Sequence, residues 1–233
     1  LMERSERETL EVIDEIERAA LVRELPEQPG TFAFVHALVP EAITATLSRS
    51  ERVALHAQVA ETLVRLFGDR MDPPAARIAH HFGIAVVGGE DVDTAIEWAR
   101  RAGDRARAQL LYWEAAIHYA RALAWLRARP DGRETVLAET LLAAGRTHLG
   151  QGEPRQAAEC FWEALDLTAR IGAPALLAEA AWPLAATQYR GRGARRLQAT
   201  VESAIERWTR DPACSTVTLA RLHAALARAL SYT

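Results

Sequence analysis

Apolar residues recur along this chain in steps of three and four nearly from end to end, and that helical period breaks for strand-like runs at one place only. Leu10, Ile13, Ile16 and Ala20, flanked by Val12 and Ala19, form one face of an amphipathic helix over residues 8–20, and its opposite face is acidic. Leu21 to Leu25 and Thr31 to Val35 are short β-prone runs joined by Pro26-Glu27-Gln28-Pro29-Gly30, a turn-rich segment of hairpin length. His36 to Phe67 reads as two helices parted at Ser48-Arg49-Ser50, where Ser48 or Ser50 caps the second. That second helix carries Val53, His56, Val59 or Ala60, Leu63 and Phe67 on one stripe. Gly68-Asp69 and Asp72-Pro73-Pro74 then interrupt the pattern, with Pro74 suited to the first turn of a helix running to about Val87. The spacing therefore predicts a boundary near residue 70, between a unit of residues 1–70 and a second of residues 71–233.

Beyond that boundary, helices alternate with turns at Gly88-Gly89, Pro130-Asp131-Gly132, Gly150 to Pro154, Gly172 to Pro174, Gly191 to Gly193 and Asp211-Pro212. Such regular punctuation prompts a search for internal repeats. Leu141, Gly145, Gly152, Ala157, Phe161, Ala164 and Leu165 have the order and spacing of a tetratricopeptide (TPR) signature. Sliding back 42 residues gives Gly103, Ala115, Tyr119, Ala122 and Leu123; sliding forward 40 gives Ala185, Leu197, Val201, Ala204 and Ile205. The third unit keeps apolarity and loses the glycine. Because the period exceeds the usual ~34 residues, the helices or the turns between repeats must be longer than in a regular array. A helix from about Thr216 to Tyr232 opens a fourth unit. A helix followed by a hairpin is also the pattern of a winged helix, so the expected fold is mainly α: a winged-helix remnant with one short β-hairpin, then a TPR-like α-α superhelix.

Composition narrows the chemistry. All 28 basic residues are Arg, so a phosphate-binding loop of the Walker type, which needs a Lys, is excluded from this chain. The net charge of −3 provides no general attraction for nucleic acid or anionic membrane. Cys160 and Cys214 lack the paired spacing of a disulfide framework or zinc site. With no apolar run near 18 residues and a charged N-terminus, a cytoplasmic protein is expected. Both ends read as cut, the last while its apolar repeat is still running. No Ser-His-Asp order and no His-Glu-x-x-His occur, which argues against an enzyme, and no metal site is expected.

One set of fragments resembles a known assembly. Phe32-Ala33-Phe34-Val35-His36-Ala37-Leu38-Val39, Glu41-Ala42, Leu47, Arg52, Leu55-His56 and Val59 to Leu63 are followed by Ile78-Ala79-His80-His81-Phe82 and by Ala95 to Ala99 through Ala102-Gly103. Together they resemble the C-terminal half of STAND-type signal-transduction ATPases, including large LuxR-type transcriptional regulators and cyclase-linked ATPases. The resemblance covers most of residues 20–165. It implies an upstream ATPase domain in a longer parent protein, with ATP or ADP bound there and no cofactor in this chain. It also implies that the winged helix couples nucleotide state to a TPR-like array receiving a protein, peptide or small ligand. By the same resemblance His36 senses the β-phosphate of ADP. Pro40 departs from the pattern, standing where an Arg commonly follows the His-Ala-Leu-Val run.

Other candidates weigh less. His80 and His81 are adjacent and point about 100° apart on a helix, so they do not chelate one metal together; with His56 they are expected in packing or at the surface. Arg190, Arg192, Arg195 and Arg196 are a possible anion contact, although a solvated turn explains them equally simply. Six tryptophans are expected mostly between helices, any exposed one being a natural anchor for a peptide. Two function classes follow: a regulatory protein-interaction module, or a winged-helix DNA-binding protein. Residues 1–30 hold nine acidic side chains against four Arg, a surface that repels phosphates, so the first is preferred and no direct nucleic-acid partner is expected.

Overall fold

A computed structural model describes residues 6–68, 73–86, 91–129, 132–186, 192–211 and 214–231. Asp69, Asp72, Gly88, Gly89, Pro130, Asp131, Arg190, Gly191, Pro212 and Tyr232, named above, lie outside these. The described residues form eleven α-helices and one two-stranded antiparallel sheet. The fold is thus mainly α, with a short β-hairpin followed by helical repeats. The chain divides into two compact units, residues 1–91 and 92–233.

In the first unit α1 (Glu6–Arg18) leads through Ala20, in the left-handed region at φ 56°, into β1 (Val22–Glu24) and β2 (Phe32–Phe34). The strands pair Val22 with Phe34 and Glu24 with Phe32, and the Glu24 carboxylate accepts a 2.6 Å hydrogen bond from the Gly30 amide at the turn. Then come α2 (Leu38–Thr46), α3 (Arg49–Phe67) and α4 (Ala75–Ala85). Ser48, rather than Ser50, caps α3. Its hydroxyl accepts from the Glu51 amide at 3.2 Å while the Glu51 carboxylate accepts from the Ser48 amide at 2.8 Å, a reciprocal box satisfying two otherwise orphaned donors.

Pro74 stands at the N-cap of α4 instead of within its first turn. That helix buries Ala75, Ile78, Ala79, Phe82 and Ala85, and it packs on Ala57, Ala60 and Leu63 of α3. Apolar burial joins the two helices, so the compact unit runs on to residue 91 although turn residues interrupt the sequence near residue 70.

The second unit stacks helix pairs: α5 (Val92–Ala108) with α6 (Tyr112–Ala128), α7 (Glu134–Gly150) with α8 (Pro154–Ile171), then α9 (Pro174–Ala186), α10 (Arg192–Trp208) and α11 (Thr216–Leu230). The long period is explained by helix length, because α5, α6 and α7 have 17 residues each and α8 has 18, while residues 109–111 and 151–153 suffice to turn within a pair. Pro154 begins α8, where its missing N–H is no loss, and Gly172 ends it in the left-handed conformation at φ 71°.

The repeat signature is an interlock between a missing side chain and a large one. A Cβ added to Gly103 would lie 2.7 Å from the Tyr119 ring, and one on Gly145 would lie 2.7 Å from the Phe161 ring. Each aromatic is buried in the hollow its glycine leaves. Ala115, Ala122, Ala157 and Ala164 are buried beside them, as is Leu141, and small residues there let the helices approach closely. Tyr119 carries a hydroxyl, which donates to Asp104 at 2.6 Å; Phe161 has none, and the residue equivalent to Asp104 is Arg146. In the third pair the equivalents are Ala185 and Val201, both buried, so a methyl fills the hollow and a smaller side chain faces it. Gly152, at φ 75°, turns α7 into α8, and its equivalent Leu110 holds φ 61°.

A glycine-to-alanine change inside a helix ordinarily stabilises by about 1 kcal/mol. At Gly145 the new methyl meets a buried ring with no room to withdraw, and overpacking of that kind costs about 1–3 kcal/mol. Gly145→Ala should therefore lower stability in urea unfolding. Phe161→Val alone should also destabilise, by about 2 kcal/mol, yet the double variant, copying Ala185 and Val201, should lose clearly less than the two single losses added. Strict additivity would contradict the interlock.

Candidate ligand-binding groove

The first helices of the pairs contact one another from α5 to α7 and from α7 to α9. Ion pairs bridge both steps: Arg100 to Glu139 at 2.7 Å, and Arg146 to Glu179. Glu139 and Glu179 are 40 residues apart, the offset relating the second and third repeats, so the bridge recurs with the fold. A further pair on this side, Arg133 with Asp93, contributes to the wall of a hollow of about 470 Å³ that also includes Ile96 and Arg100.

The larger hollow lies between α7, α9 and α11 and encloses about 680 Å³, within the range of small-molecule and peptide sites. Ala178, Trp182, Pro183 and Ala224 supply its apolar surface, and Arg146, Glu179 and Arg221 its charges. Two sequence features open it. Pro183 has no N–H to return to the Glu179 carbonyl, and α9 ends three residues later at Ala186, which makes it shorter than its counterparts α5 and α7. α11 packs on both α9 and α10 and forms the far wall. Trp182 is 46% exposed, and the Arg228 guanidinium lies 5.2 Å from its ring centroid, a cation–π contact that holds the indole in place.

The tryptophans separate into distinct environments. Trp98 and Trp208 are buried, and Trp125 and Trp162 are half-buried. Trp182 stands in the groove, and Trp113 projects from α6. The possible anion contact is not assembled as one cluster among the described residues. Arg196 pairs with Asp166 and lies 4.7 Å from the Trp162 ring centroid, bridging α10 to α8, while Arg195 is exposed. Arg190 and the side chain of Arg192 lie outside the described residues. His36 is exposed two residues beyond β2, its carbonyl accepting from the Val39 amide at 3.1 Å.

What the spacing does not reveal is a cluster of three histidines between α3 and α4. Nδ1 of His56 and Nδ1 of His81 are 2.9 Å apart, and the His80 ring centroid lies 5.8 Å from that of His56 and 5.3 Å from that of His81. The residues are 24 and 25 positions apart, too far for a local pattern. Among the described residues no group of three or more His, Cys, Asp or Glu side chains is arranged to hold a metal ion. Burial, then the neighbouring His80 and Arg52, lowers the pKa of His56; burial, then His56, His80 and Arg77, lowers that of His81. Cys160, by contrast, is a free thiol pushed up to about 11 by burial and is no nucleophile at neutral pH. Among the described residues no helix is long and apolar enough to cross a membrane.

The sequence matches no protein-family model and no curated protein.

The histidine pair has a pH consequence whose sign follows from linkage. With folded-state pKa values below the unfolded value of about 6.5, the unfolded chain binds more protons just below that pH, so the contribution is intact above it and is lost as pH falls. Stability of the first unit should drop between about pH 7 and about pH 5. His56→Gln should flatten that slope in thermal unfolding, whereas an unchanged slope would place the proton uptake elsewhere.

Proposed function

We propose that this chain is a regulatory interaction module, the coupling and sensor part of a larger nucleotide-switched signalling or transcription regulator of the STAND type. Its helix pairs are of TPR type, and the groove between α7, α9 and α11 receives a protein, peptide or small ligand. The observation that carries this reading is the half-exposed Trp182, clamped by Arg228 in a 680 Å³ hollow with Arg146, Glu179 and Arg221 around it. An amphipathic aromatic with a few convergent charges is the usual chemistry of a recognition pocket. A ligand bridging α7, α9 and α11 favours one mutual arrangement of the pairs, which is the differential binding that a switch needs.

The first unit supports a coupling role. Val22 is buried, whereas Leu10, Phe34, Leu38 and Ile43 are exposed around the hairpin, and α2 buries no residue. Apolar surface of this extent marks an interaction site, and an ATPase domain in the parent protein is the partner proposed for it. His36, exposed beside that surface, is the proposed nucleotide sensor. The reading assigns no catalysis to the chain, and it places the protein in the cytoplasm.

Two measurements test this reading. On an immobilised peptide array, the intact chain should retain a subset of peptides that Trp182→Ala fails to retain, while the variant keeps its unfolding midpoint; retention indifferent to Trp182 would remove the groove from the account. In the complete parent protein, His36→Ala should speed ADP release and raise basal output, and unchanged ADP release would rule out the sensor.

A further inference from the structure

Comparing the repeats with one another exposes a second surface, on the side of α6 away from its glycine partner. Leu110, Leu111, Trp113 and Ile117 are exposed, at 68%, 44%, 72% and 52%. Forty-two residues on, the same places hold Gly152, Glu153, Arg155 and Glu159. The second repeat folds with glycine and charges there, so the fold itself requires nothing apolar at these positions. Leu110 is also held at φ 61°, where its equivalent is glycine at φ 75°; a left-handed leucine with its side chain in solvent is retained against its backbone preference.

Along α6 the exposed stripe continues as Trp113, Ile117, Ala120 and Ala124, in steps of four, three and four, all exposed. Its first half is large and its second half small. We infer that α6 is the interface of a homodimer, in which a two-fold axis between Ile117 and Ala120 lays two copies of the helix antiparallel, Trp113 of each over Ala124 of the other and Ile117 over Ala120. An isologous contact must be self-complementary, and a stripe that runs from large to small meets that condition only in the antiparallel sense. The large side chains alone offer on the order of 500 Å² per copy, which reaches the lower limit of a specific interface when doubled. Arg127 is paired with Glu163 at 2.6 Å and His148 with Glu153 at 2.8 Å beside the stripe, so the dimer leaves neither pair broken. The groove at Trp182 is lined by α7, α9 and α11 and contains no α6 residue, so self-association and ligand binding are separable.

Sedimentation velocity across a micromolar concentration series tests the inference. The wild-type chain should show a monomer–dimer equilibrium. Trp113→Arg with Ile117→Glu, the residues of the second repeat, should weaken it at least tenfold with unchanged helicity and unfolding midpoint. Ala124→Trp should also weaken it, and Trp113→Ala combined with Ala124→Trp should restore it, since the large and small halves are merely exchanged. A wild-type chain that stays monomeric, association that survives Trp113→Arg with Ile117→Glu, or association strengthened by Ala124→Trp would each overturn the proposal.

Discussion

A glycine on one helix and an aromatic ring on the next, each shaped by the other, set the geometry of the second unit. Gly103 with Tyr119 and Gly145 with Phe161 bring each pair of helices close enough for the buried alanines to touch, and the ring seals the space that remains. Dense packing of this kind leaves no slack, so one added methyl or one lost ring is felt across the pair. Because every pair forms the same contact, the pairs stack in sequence, and both sides of the stack stay available to solvent. Ala185 with Val201 shows the interlock relaxed: the volumes still match, but the deep insertion is gone. There α9 is short, and α11 packs against both of its predecessors.

That contact was legible in the chain because it is a one-dimensional pattern. Glycine, small residue and aromatic repeat at a fixed offset, and the offset survives even where the glycines do not. The hairpin was legible too, within a residue or two, because strand-forming runs flank a turn rich in Pro and Gly. Features built by residues remote in sequence were hidden. His56 meets His80 and His81 only once α3 lies on α4, and the Trp182 groove needs α11 to form its far wall. Pro183 inside α9 sits in an apolar context that reads as uninterrupted helix. The turn residues near residue 70 punctuate the sequence, yet the apolar faces of α3 and α4 meet across them, and contact rather than punctuation sets the extent of a compact unit.

Candidate chemistry was less legible than candidate architecture for a related reason. A cluster such as Arg195 and Arg196 looks alike in sequence whether its charges await an anion or bridge to a carboxylate one repeat away, as Arg196 does to Asp166. Exposed Trp113 and exposed Trp182 are equally indistinguishable from packed tryptophans until their neighbours are known. The internal repeats provide a control that a single sequence normally lacks: where one repeat has Trp and Ile and its sibling has Arg and Glu, the fold does not explain the difference.

Native-state hydrogen exchange would probe the interlock residue by residue, because it reports the opening free energy of each helix separately. With glycine–aromatic insertion as the main source of cohesion, the amides of α5 to α8 around Gly103, Tyr119, Gly145 and Phe161 should open with the highest free energies, and those of α9 and α10 around Ala185 and Val201 with distinctly lower ones. Equal or greater protection in α9 and α10 would mean that something other than the fitted ring holds the pairs together.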